Sequence, residues 1–128
     1  MVLTLGLVVI ASVLLHEGGH ALAAKRLGWR VVALRITRRG PALDIRTRDP
    51  QVLRTAWAVA LAGPLASLVF AAELLFLGVA NPMAYALGLF NLVFAVVNLV
   101  PMPGSDGRVI AAFVFGSRGR PDASRRAS

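Results

Sequence analysis

The sequence predicts an all-α membrane protein, with three transmembrane helices and a small β-hairpin between the first and the second. Three observations predict this class. Apolar residues make up 57% of the chain, against about 45–50% in soluble domains, and they gather into long uncharged runs. Two such runs, Thr55 to Ala72 and Met83 to Val100, are 18 residues long, close to the ~20 that a helix needs to cross a ~30 Å hydrocarbon core. The basic residues sit outside the runs: nine of the 14 Lys and Arg fall between Lys25 and Arg54, and four more in the last eleven positions.

The first span is expected at about residues 1–24, where positions 1–15 carry no charge. A secretory signal would open on basic residues and close on a small-residue cleavage site. This run has no basic start and leads directly into His16-Glu17-Gly18-Gly19-His20, so it reads as a retained helix. Residues 29–48 are β-prone and roughly alternating, with a turn expected at Thr37-Arg38-Arg39-Gly40, and so predict the hairpin. The second span is expected at about 52–80, interrupted by Gly63-Pro64; membrane helices tolerate such a Pro where neighbours satisfy the freed backbone. Asn81-Pro82 marks a helix start, and the third span is expected at about 82–100. A breaker-rich loop, Pro101 to Gly107, follows, and then a short apolar segment, Arg108 to Gly116. Residues 1–116 are expected to form one core, and 117–128 a basic, disordered tail.

The net charge of +8 is compatible with nucleic acid or with a cytoplasmic membrane face. Its clustering beside apolar runs favours the membrane, and no nucleic-acid partner is expected. The absence of cysteine excludes disulfides and thiolate metal sites. The hairpin region and the tail hold nearly all the basic residues, whereas the start of the chain and the 78–84 connection hold none. The positive-inside rule therefore places the N-terminus outside, with the hairpin and C-terminus in the cytoplasm. The expected setting is a prokaryotic cell membrane.

His16 and His20, the only histidines, are four residues apart, which on a helix puts both imidazoles on one face and within reach of one metal ion. Glu17 beside them is the candidate general base, taking a proton from the attacking water and passing it to the leaving amine. HExxH alone is a short pattern that arises by coincidence. Ionisable residues inside an apolar helix are costly, however, and mark functional positions. A site that keeps one position open for water needs a third protein ligand. Asp44 and Asp49 belong to the basic hairpin and Asp122 to the tail. Glu73 falls near the outer end of the second span, the wrong depth for the histidines. Asp106 follows the third span on the same side as the histidines, so depth selects Asp106 over Glu73, although an Asp-Gly pair is also an ordinary turn former.

HEGGH in a first apolar helix, Gly63-Pro64 in a second and Asn98-Leu-Val-Pro101-Met-Pro103-Gly-Ser-Asp106-Gly107 after a third resemble the site-2 protease family of intramembrane zinc metalloproteases. Its patterns are HExxH followed by N-x-x-P-x-P-x-x-D-G, and the resemblance covers roughly residues 5–110, as a minimal three-helix core. It implies one Zn2+ held by His16, His20 and Asp106, with Glu17 as general base and Asn98 supporting the substrate or the transition state. It further implies hydrolysis of peptide bonds in a transmembrane protein substrate, with the lipid bilayer as surroundings. An extended substrate could then add to an edge of the hairpin. Three positions depart from the family's habit: Ser105, Arg108, and Ser67, where the family often has Asn. The lack of side chains at Gly18 and Gly19 would let a neighbouring helix or the substrate approach the metal. A second reading is a non-catalytic, metal-binding pseudoprotease acting as an interaction protein; the intact Glu17 favours the enzyme. No residue pattern specifies an oligomeric state.

Overall fold

The computed structural model describes residues 2–37 and 40–116. The turn residues Arg38 and Arg39 and the basic tail at 117–128 lie outside the described residues. Helix α1 (Val2–Arg26) leads to an antiparallel hairpin of β1 (Arg30–Thr37) and β2 (Gly40–Arg46). A one-turn helix α2 (Pro50–Leu53), the long helices α3 (Ala56–Leu77) and α4 (Pro82–Leu99), and the short α5 (Asp106–Gly116) follow. Three helical stretches, Gly6–Arg26, Ala56–Ala80 and Pro82–Leu99, are long and apolar enough to cross a membrane. Mainly helical structure, three candidate spans and a hairpin between the first two match the class expected from sequence.

Each element ends where its residues dictate. Lys25 and Arg26 lie in the last turn of α1, where cations offset the negative end of the helix dipole. Gly28, at φ 84°, adopts the left-handed conformation that closes the helix, and the Trp29 N–H donates back to the Ala24 carbonyl at 2.8 Å. In the hairpin Arg30 pairs with Arg46 and Thr37 with Gly40. The register shifts between Val31 and Ala33, leaving Val32 as the extra residue of a bulge. Asp44 binds Arg46 at 3.0 Å and Arg35 at 3.2 Å. The Arg46 hydrogen bond holds its carboxyl below the usual carboxylate range.

The second span begins at Ala56, a few residues after its expected start at about 52. Asp49 accepts from the Gln51 N–H at 2.8 Å and caps α2, and the helix then breaks at Arg54-Thr55 before α3 starts. The break is fixed from both sides: Thr55 Oγ1 donates to the Val52 carbonyl at 2.6 Å and accepts from Trp29 Nε1 at 3.0 Å. Trp57 stacks on Phe113 with centroids 5.3 Å apart, tying α3 to α5. At the other end, Asn81 accepts from the Met83 and Ala84 N–H groups and, with Pro82 in the first turn, starts α4.

Helix α3 is central, packed on α1, α4 and α5, and runs unbroken through Pro64. What lies between the helices is mostly small or polar: Ala24, Ala60, Ala71 and Ala95 are buried, as are Ser12, His16, His20, Ser67 and Asn91, with Val59 and Leu87 as the larger apolar members. Large apolar side chains point outward, with Phe76 at 81% and Val79 at 86% exposure. In water this distribution would be unfavourable. In lipid, where outward apolar groups cost nothing and helices associate by close packing and polar contacts, it is the expected one.

Candidate metal centre

His16 and His20 lie in the second half of α1, 3% and 8% exposed. Each ring is fixed through Nδ1 by α3. The His20 Nδ1 donates to the Val59 backbone carbonyl at 2.7 Å, and a carbonyl can only accept, so the proton is on Nδ1 and the Nε2 lone pair is free to bind. His16 Nδ1 is 3.0 Å from Ser67 Oγ. Phe94 of α4 packs edge-on against the His16 ring, with centroids 5.0 Å apart.

The carboxylate arrives from the far end of the chain. Ser105 Oγ donates to the Val100 carbonyl at 2.6 Å and accepts from the Met102 N–H at 3.0 Å, drawing the Pro101–Gly104 loop into a tight fold. It also lies 3.4 Å from the Arg108 N–H, in the manner of a helix cap. Asp106 and Gly107 are therefore the first turn of α5 rather than a turn of the loop. A side chain on Gly107 would collide with the Leu99 carbonyl, so its absence lets α5 press against the end of α4. Asp106 Oδ2 then stands 3.2 Å from His16 Nε2 and 3.4 Å from His20 Nε2.

His16 Nε2 and His20 Nε2 are themselves 3.2 Å apart. The three atoms form a nearly equilateral triangle with edges of 3.2, 3.2 and 3.4 Å. Ligands about 2.0 Å from a tetrahedral zinc stand about 3.3 Å from one another, so this donor set fits that ion. Glu17, half-buried, brings a carboxylate oxygen within 4.8 Å of the histidine nitrogens. Asn98, expected to support the substrate, and Glu73, set aside by its depth, have other surroundings within their own helices. Asn98 donates to the carbonyl of Phe94 in its own helix at 2.9 Å. Glu73 is exposed on α3, beside a cavity of about 370 Å³ lined by Leu15, Val69 and Phe70 among others.

The residue-pattern reading missed the roles of three contributors. Ser67 stood out only as a departure from a family habit. The Val59 carbonyl is invisible in a sequence because every residue has one. Gly63 is the third: a Cβ there would occupy the space of the His20 imidazole. Gly19 admits α3, since a Cβ on it would come within 2.6 Å of the Ala62 carbonyl oxygen, whereas Gly18 has nothing within 4 Å and faces open space.

The model of the Peptidase M50B-like family matches residues 3–117. The chain belongs to this family. The resemblance to site-2 proteases thereby holds over most of the chain. It is similar to a provisionally named zinc metalloprotease of Synechocystis, with 32% identity over 85% of this chain and 31% of that protein. It is also similar to a zinc metalloprotease of Methanocaldococcus jannaschii, 28% identical over 84% of this chain and 33% of the relative. The Stage IV sporulation protein FB of Bacillus subtilis is 32% identical over 85% of this chain and 39% of its own length. The chain thus spans about a third of the curated M50 relatives it matches.

Proposed function

We propose that the chain is a zinc metalloendopeptidase that hydrolyses peptide bonds of membrane-spanning or membrane-associated proteins. The observation that carries this reading is the convergence of His16 Nε2, His20 Nε2 and Asp106 Oδ2 at mutual distances of 3.2–3.4 Å. These three residues would hold one zinc ion. Bound there, zinc supplies Lewis acidity that makes water a nucleophile near neutral pH and polarises a carbonyl. Glu17 takes the proton of the attacking water on its carboxylate and returns it to the leaving amine. Asn98 remains the candidate for substrate support; the hydrogen bond to Phe94 uses only one of its amide protons.

The depth of the site supports cleavage within the membrane. At 1.5 Å per residue, His16 and His20 lie about 8–14 Å along α1 from Lys25, inside a hydrocarbon core that begins near that residue. A helical substrate shields its peptide bonds by hydrogen bonding. Extension along an outer edge of the β1–β2 hairpin would expose them, with β-pairing supplying affinity. The cytoplasmic placement of the hairpin and a prokaryotic membrane setting form part of this proposal.

Zinc content of the detergent-purified protein and cleavage of a membrane-peptide library, for wild type and Glu17→Gln, test it. One equivalent of zinc in both proteins, with cleavage only in wild type, is the expected result. Zinc without Glu17-dependent cleavage would replace the enzyme with a metal-binding pseudoprotease, and absence of zinc would remove both.

A further inference from the structure

Serine inside a helix ordinarily returns its hydroxyl to the carbonyl one turn back. Ser12 does this, donating to Val8 at 2.8 Å. Ser67 is as deeply buried, at 0% exposure, yet its hydrogen bond goes across the helix interface to His16 Nδ1 at 3.0 Å. The two rings of the site are therefore held by chemically different partners. The Val59 carbonyl can only accept, which fixes the tautomer of His20. A hydroxyl accepts or donates by rotating about one bond.

We propose that Ser67 is a positioning residue that sets the tautomer of His16 and lets that tautomer change when metal binds. This rests on the reading of His16 as a zinc ligand. In the loaded protein Ser67 Oγ accepts the His16 Nδ1–H, and the Nε2 lone pair faces the metal. In the metal-free protein the hydroxyl turns and donates to Nδ1, so the ring proton sits on Nε2 and is donated to Asp106 Oδ2, 3.2 Å away. The ring neither gains nor loses a proton overall. One proton changes nitrogen and one O–H rotates. Both arrangements give His16 Nδ1 a hydrogen-bond partner at Ser67 Oγ, which a backbone carbonyl in place of Ser67 could not do. Without the Ser67 hydroxyl, the buried Nδ1 would lose this partner, and an unpaired buried polar group is costly. His20 has no such freedom and keeps Nδ1–H in both states.

The chain contains only two histidines, so ring-nitrogen NMR of the 15N-histidine-labelled 128-residue chain in detergent reads both directly. With one equivalent of zinc, both rings are expected as Nδ1–H. After chelation His16 is expected as Nε2–H and His20 unchanged. The same tautomer of His16 in both states, or a doubly protonated ring after chelation, overturns the proposal. Ser67→Ala is expected to weaken zinc binding about 10- to 100-fold by chelator competition, as loss of a partner behind a metal-binding His does, with His20 signals and helical content unchanged. Ser67→Thr, which keeps the hydroxyl, is expected to restore affinity to within a few-fold. Equal affinity of wild type and Ser67→Ala also overturns it, and if Ser67→Ala does not fold, the wild-type tautomer comparison decides alone. Wild type that takes up no zinc, or takes it up without moving the His16 signals, refutes instead the ligand assignment on which the proposal stands.

Discussion

His20 has room for its imidazole only because residue 63 lacks a side chain. The contact is with the ring itself, deep between α1 and α3, so no flexible end can give way. Gly63→Ala should therefore displace His20 from the Val59 carbonyl and reduce bound zinc from one equivalent to a small fraction, while circular dichroism still reports a helical protein. Overpacking of this kind costs about 1–3 kcal/mol, too little by itself to unfold the bundle. Glu17 is the opposite case: the task proposed for it is proton transfer, which depends on the charge of its carboxylate and not on its size. Glu17→Gln should keep full zinc content and lower the rate constant for peptide hydrolysis by about 100- to 10,000-fold, measured in single-turnover cleavage assays.

At the scale of the elements, α5 decides whether there is a site at all. It is too short to span a membrane, yet it carries Asp106, and it reaches the histidines because Gly107 admits it against the end of α4. Gly107→Ala should lift the first turn of α5 and abolish zinc binding, with the three long helices still inserted. A variant that binds zinc normally would refute the packing role assigned to Gly107. Asn91 joins α4 to α1 by donating to Ser12 Oγ at 3.0 Å, and it also donates to the Leu87 carbonyl of its own helix. Its Oδ1 is buried without a partner, so the residue both stabilises and costs. Interhelical bonds of this type average about 0.6 kcal/mol, and Asn91→Leu should change unfolding stability in detergent by less than about 1 kcal/mol. A loss several times larger would mean that Asn91 has a further partner.

For the molecule as a whole, mostly small and polar groups inside and large apolar groups outside suit a bilayer, and the proposed metal would add to the stability of the folded state. A ligand that binds only the folded state stabilises it by about 4 kcal/mol at a thousandfold excess over its dissociation constant. Chelation should accordingly lower the thermal midpoint, and zinc should restore it in wild type but not in Asp106→Ala. The proposed orientation has an equally direct check, since the chain has no cysteine. A single cysteine introduced at Thr47, in the segment after β2, should react with an impermeant thiol reagent from the cytoplasmic side alone. Labelling from the opposite face would invert the topology.

Where the three long helices run was legible in the residues alone. Uncharged stretches of about 18 residues can satisfy their backbone in lipid only as helices, and Asn81-Pro82 marks the start of α4. The sequence also indicated that His16, Glu17 and His20 share one helical segment, because the apolar run leads directly into them, and on a helix the four-residue spacing puts both imidazoles on one face. The pairing of Asp106 with His16, 90 residues apart, was legible only as a matter of depth and motif order. Whether Asp106-Gly107 closed a loop or opened a helix depended on Ser105, whose hydroxyl organises the loop only once Val100 and Met102 are brought round to it. Tertiary structure alone decided what stands behind the ligands: the Val59 carbonyl, the Ser67 hydroxyl and the space left by Gly63. None of these has a local signature, since a carbonyl is common to all residues and a missing Cβ matters only when a particular ring needs its place.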